Sequence, residues 1–99
     1  MQKATIHGIM LWANSELDHI GRIAAVEDPD IQYAYALSTV NGMLHLCHAV
    51  KELVENKSYQ KQNDALITKH SEVVRVLRHL IADYRLDLNQ LGRFNNEKK

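Results

Sequence analysis

Apolar residues recur at alternating spacings of three and four in three segments of the chain, with polar residues between them. This is the period of one face of an α-helix, whereas a half-buried strand would alternate every second residue. The pattern predicts helices over about residues 4–26, 29–56 and 63–91. The third segment has the longest stripe, which consists of Leu66, His70, Val73, Leu77, Leu80, Tyr84, Leu88 and Leu91.

Two polar breaks separate the three segments. In the first, Asp28 is a suitable N-cap, and Pro29 suits the first helical position, where its missing N–H costs no hydrogen bond. The second break covers residues 56–63 and ends in another possible cap. We expect Gly92 to stop the third helix and residues 93–99 to form a polar tail.

The start of the first segment allows a second interpretation. Residues 4–12 are rich in β-branched and bulky side chains around Gly8, and Asn14 or Ser15 could cap a shorter helix that begins later. A short strand before Asn14 is therefore the alternative to a helix that starts near residue 4.

Long helices joined by short connections predict an all-α fold, in which residues 1–92 form one antiparallel three-helix bundle. The apolar face of the second helix is wider than a half-buried helix requires, and Trp12 flanks the stripe of the first. Symmetric dimers are the commonest assemblies that bury such surface. We therefore expect dimerisation to complete the bundle, with Trp12, Leu37 and Leu44 in the contact.

The composition limits the expected cellular location and the expected classes of partner. Lys plus Arg and Asp plus Glu number 12 each, so no net field draws the protein to nucleic acid or to a membrane. Arg75, Arg78 and Arg85 form only a thin basic face. The single Cys47 cannot form an internal disulfide, which favours a cytoplasmic location. The longest apolar run, residues 9–13, is too short to span a membrane.

One line of polar side chains interrupts the otherwise apolar second helix. At spacings of three and four, it contains Ser38, Asn41, His45, His48 and Glu52. Three interpretations are open: metal ligands, hydrogen-bonded seams between helices, or the one face of this helix that meets water. Inward His and Glu side chains at such spacings are typical of metal-binding helical bundles.

The register of the predicted bundle decides which of these groups can meet. With an antiparallel turn centred between residues 28 and 29, Glu16 is level with Asn41 and within about one turn of His45. His19 follows Glu16 in Glu-x-x-His spacing, but it lies roughly 15 Å from the level of His48. One chain therefore cannot gather all of these groups.

A transition-metal site would use His45, His48 and Glu52, with Glu16 or His70 added from neighbouring helices and from a second subunit. His70 lies in the apolar stripe of the third helix and needs a partner there. A neutral imidazole that hydrogen-bonds to Glu52, to a serine or to a backbone carbonyl is the simpler interpretation.

The sequence contains no nucleophile-elbow serine, phosphate-binding loop or dinucleotide fingerprint, so catalysis is not expected. The excess apolar surface indicates a small, non-enzymatic helical homo-oligomer that binds other proteins as an adaptor, regulator or assembly component. The alternative function is that of a metal-binding helical bundle, with His and Glu ligands from facing helices.

Overall fold

The computed structural model describes residues 6–55 and 63–91, and three main helices account for most of them. They are α1 (Ile6–Ala25), α2 (Pro29–Glu55) and α3 (Asn63–Tyr84). The three helices pack together, and the two described ranges contain no strand. The predicted all-α class is confirmed. The expected features that lie outside the described residues are the helix start at residues 4 and 5, the loop over 56–62, Gly92 and the tail over 93–99.

The first helix is helical from Ile6 onwards, so the strand alternative is wrong for residues 6–12. The helical period explains this, because it brings Ile9, Ala13 and Ile23 to one buried side. A strand here would also find no second strand among residues 6–55 and 63–91 to pair its backbone groups.

The turn between α1 and α2 ends in the predicted cap. One side-chain oxygen of Asp28, Oδ1, accepts hydrogen bonds from the backbone N–H groups of Asp30 at 2.9 Å and Ile31 at 3.2 Å. Pro29 follows as the first helical residue, and the N–H of Gln32 donates to the Asp28 carbonyl at 2.9 Å. The cap satisfies donors that the first turn of a helix leaves unpaired, which explains why α2 begins here.

The predicted third helix is too long, because α3 ends at Tyr84 and not at residue 91. Arg85 has a φ of 52°, in the left-handed region, and the N–H of Leu86 donates to the Ile81 carbonyl at 3.1 Å. This is the hydrogen bond that closes a Schellman motif at a helix C-terminus. The chain turns here, so Leu86 is buried while Leu88, a member of the predicted stripe, is exposed.

The segment after α3 is hydrogen-bonded to the start of α2. The Tyr33 hydroxyl accepts a hydrogen bond from the N–H of Asp87 at 2.9 Å and donates one to Gln90 Oε1 at 3.3 Å. Asp87 Oδ1 in turn accepts from the N–H of Asn89 at 3.0 Å, at the start of a short helical turn. Leu91 is thereby buried even though α3 has already ended.

All three helices contribute to one apolar core. Its largest fully buried side chains are Ile9, Ile23, Val40, Met43, Leu46, Leu66 and Val73. The side chains of this core are buried within a single chain, so a second copy is not needed to bury them. No helix among the described residues combines the length and the apolar character that crossing a membrane demands.

Candidate functional site

The polar line of α2 faces outwards in the single chain. Ser38, His45, His48 and Glu52 are exposed, and Asn41 is half-buried. Within one chain, these side chains therefore form the face of α2 that meets water, which was one of the three interpretations. A hydrated imidazole or carboxylate there needs no internal partner.

The candidate metal ligands are not collected in one place by a single chain. Within the described ranges, no three His, Cys, Asp or Glu side chains lie close enough together to hold a metal ion. His48 and His70 do line the same depression, but the carboxylate that lines it with them is Glu55, not Glu52. Glu16 is engaged elsewhere, at the contact between α1 and α2.

Glu16 lies over a glycine of α2. Its Oε2 accepts a hydrogen bond from Trp12 Nε1 at 3.0 Å, and a Cβ placed on Gly42 would come within 2.5 Å of the same oxygen. This position is one residue from the predicted level at Asn41. Gly42 was not singled out from the sequence, although a glycine inside a helix costs about 1 kcal/mol and often marks a close approach.

His19 pairs with α2 through a tyrosine. Its Nδ1 is 2.7 Å from the Tyr35 hydroxyl oxygen, and the two rings meet edge to face with centroids 5.5 Å apart. Glu16 and His19 thus contact different partners, despite their Glu-x-x-His spacing. The two side chains therefore contact α2 at two separate points.

An apolar groove runs between α2 and α3, and we call it the α2–α3 groove. Its volume is about 420 Å³, and it is lined by Leu44, Cys47, His48, Val50, Lys51, Glu55, Ile67 and His70. Ile67 is 49% exposed there, which is high for a large aliphatic side chain beside a core. Burial raises the pKa of the Cys47 thiol, so this thiol stays protonated at neutral pH.

A second depression lies along α3 and shares His70 with the α2–α3 groove. Its volume is about 510 Å³, and its lining consists of His70, Ser71, Val74, Arg75, Arg78 and His79. Arg75 and Arg78 are both exposed. His70 lines both depressions, so the apolar groove and the surface that carries Arg75 and Arg78 are adjacent.

The three side chains expected at a subunit contact have different surroundings. Leu37 is only 7% exposed and belongs to the core of the single chain, so it has little surface left for a partner. Trp12 is half-buried against the same core. Leu44 also touches the core, but it lines the α2–α3 groove. Of these three, Leu44 is the one that lines the α2–α3 groove.

Exposed large apolar side chains are few among residues 6–55 and 63–91. They are Leu11, Ile31, Ile67 and Leu88. Single exposed apolar residues are normal on soluble proteins, whereas a concave cluster of them marks a contact site. Ile67 is the member of this set that lines the α2–α3 groove, and the partly exposed side chains of Leu44 and Cys47 lie there with it. This concave cluster makes the groove the candidate site.

Comparison with known proteins adds no relative to this description. The chain matches no protein-family model, no curated protein sequence and no solved structure.

Proposed function

We propose that this chain is a non-enzymatic helical homo-oligomer that binds other proteins, as an adaptor, regulator or assembly component, through the α2–α3 groove. The observation that carries the proposal is the half-exposed Ile67 among apolar neighbours on two packed helices. Grooves between helices receive the apolar face of another helix in many protein complexes. The groove volume of about 420 Å³ is also large enough for several side chains of a partner.

The proposal includes the antiparallel arrangement of the bundle. It is supported by the contacts of α1 with α2, where Glu16 lies at Gly42 and His19 lies at Tyr35. Residue numbers that rise on α1 fall on α2, as they do when two helices run in opposite directions. α2 and α3 also pack against each other, and the groove lies between them.

In the isolated protein, we propose that a second copy covers the groove. Ile67 and Leu44 of each copy would then be removed from water. Removing the exposed half of each Ile67 side chain from water contributes roughly 1 kcal/mol per chain. This is a small part of the association free energy that a dimer needs, so the pairing would be weak and would also depend on the other side chains that line the groove. Weak pairing suits a module whose groove must also be reached by other proteins.

Two matched substitutions test this function. Ile67→Glu introduces a charge inside the groove, while Leu11→Glu introduces the same charge at a site that is 57% exposed on α1 and outside the groove. We expect the wild type to dimerise at concentrations on the order of tens of micromolar. Ile67→Glu should weaken the dimer at least about tenfold, because a charge in an apolar contact is costly, and Leu11→Glu should not. Analytical ultracentrifugation measures both effects.

A metal-binding function is the second candidate, and one observation favours it. His48 and His70 line the same groove, so a second copy that covers the groove would bring a second pair of imidazoles to it. Four nitrogen ligands suit zinc and related transition metals. Cys47 is the weaker candidate ligand, because burial raises its pKa and disfavours the thiolate.

This second candidate is tested by elemental analysis of protein that was expressed with zinc, iron and manganese supplied. A dimer site predicts about one metal per two chains, lost in a His48→Ala, His70→Ala double variant. His79→Ala is the control, because His79 is exposed and lies outside the groove. A metal content far below that ratio in the wild type, or equal retention in all variants, would remove this candidate.

A further inference from the structure

The apolar groove and the cationic surface of α3 are adjacent at His70, and together they indicate what kind of partner fits. We infer that the partner segment is an acidic amphipathic helix, whose apolar side chains enter the α2–α3 groove and whose carboxylates pair with Arg75 and Arg78. This inference rests on the proposed function and names the partner's chemistry.

The two guanidinium groups have no carboxylate partner in the part of the chain that the structure describes. The ion pair found there joins Lys69 to Glu72, at 2.9 Å. An exposed arginine is ordinarily a solvated surface group, and it carries no information by itself. Arg75 and Arg78 differ because the depression that they line joins the groove at His70. A helix seated in the groove would therefore pass beside both groups.

The charges along the groove are arranged unevenly. Lys51 and Glu55 both line the groove and lie four residues apart on α2, so their charges largely offset each other. Glu72 lines a neighbouring depression with Ile67 and Arg75, but it is paired with Lys69 at 2.9 Å. The cationic excess is therefore on the side of Arg75 and Arg78. A partner helix with its carboxylates on one flank would be held in one orientation by this asymmetry, since complementary charges at a rim act mainly on specificity and association rate.

The length of the groove matches a short helix. From Leu44 to Glu55, the lining of α2 rises about 17 Å at 1.5 Å per residue, which is about three helical turns. A partner helix of that length can place three or four apolar side chains on one face, at i, i+3 or i+4, and i+7. These side chains supply most of the affinity, and the carboxylates add to it at the rim.

A nucleic acid could pair its phosphates with the two arginines, but it would not fill the apolar groove. Its phosphates are recognised by extended basic surfaces with aromatic platforms, whereas the second depression is lined by two arginines and two histidines and contains no aromatic ring of Phe, Tyr or Trp. The chain as a whole has no net charge. The apolar lining of the groove favours a protein segment that combines apolar and acidic faces.

The test uses the full chain and three synthetic helical peptides of about four turns that carry a fluorescent label. All have the same leucine face, and one flank carries glutamates, glutamines or lysines. We expect the glutamate peptide to bind most tightly by fluorescence anisotropy. Arg75→Gln with Arg78→Gln should weaken it about fivefold, as two partly exposed ion pairs would. Arg22→Gln removes one arginine charge from the exposed side of α1, outside the groove, and should change nothing.

Salt and the groove variant complete the experiment. Salt at about 1 M, where the screening length is about 3 Å, should remove the advantage of the glutamate peptide, and Ile67→Glu should abolish binding of all three.

Equal binding of the glutamate and glutamine peptides would overturn the inference and leave the proposed function standing. If no peptide binds but the wild type dimerises through Ile67, a second copy is the occupant and the inference is wrong. Preferential, arginine-dependent binding of a single-stranded oligonucleotide would also overturn it. If no peptide binds and the wild type is monomeric, the proposed function itself fails.

Discussion

At the scale of single residues, the contact between Glu16 and Gly42 shows how a missing side chain positions a polar one. The glycine leaves room for the carboxylate against α2, and Trp12 holds it there with a hydrogen bond. Glycine inside a helix costs about 1 kcal/mol relative to alanine, so this arrangement opposes the helix propensity of α2.

Gly42→Ala should displace the Glu16 carboxylate and change the environment of Trp12, which is the only tryptophan in the chain. The gain in helix propensity, about 1 kcal/mol, should be offset by loss of a hydrogen bond of similar size. We expect a shift in Trp12 emission with little change in the free energy of unfolding, measured by urea denaturation.

Gly21→Ala is the matched control for that substitution. A Cβ on Gly21 would have nothing within 4 Å, so this change should stabilise the protein by about 0.5 to 1 kcal/mol and leave Trp12 emission unaltered. If the two substitutions stabilise the protein equally and neither moves the emission, Glu16 does not occupy the space over Gly42.

At the scale of elements, the start of α2 could be predicted from the sequence and the end of α3 could not. The cap at Asp28 depends on residues adjacent in sequence, and it forms as expected. The end of α3 could not be predicted, because Leu88 and Leu91 continue the helical spacing past Tyr84. The left-handed Arg85 ends the helix instead, and burial of Leu86, which is outside the stripe, accompanies that turn.

Arg85→Gly tests this helix end. A non-glycine residue in the left-handed region costs roughly 1 to 2 kcal/mol, and glycine removes this cost. Because glycine also loses more conformational entropy on folding, about 0.5 to 1 kcal/mol of that gain is cancelled. We expect a net stabilisation of about 0.5 to 1 kcal/mol by thermal or urea unfolding, whereas Arg85→Ala, which keeps a Cβ, should give none. A clear destabilisation by glycine would mean that the helix continues through residue 85, as the sequence pattern predicted.

At the scale of the whole molecule, the sequence predicted the helical class and the approximate level at which Glu16 meets α2. The sequence could not predict which apolar side chains stay exposed, because their exposure depends on how the three helices pack around one core. Leu37 was expected at a subunit contact and is buried within the chain, while Ile67 was not singled out and lines the groove. His45, His48 and Glu52 face water in one chain, and only a second molecule could change that.

Sedimentation velocity over a range of protein concentrations tests most directly whether the α2–α3 groove is a contact surface. The expected result is a dimer for the wild type and for Leu11→Glu, and a monomer for Ile67→Glu at the same concentration. A wild type that stays monomeric at on the order of 100 micromolar, or two variants that dissociate alike, would contradict self-association through this groove.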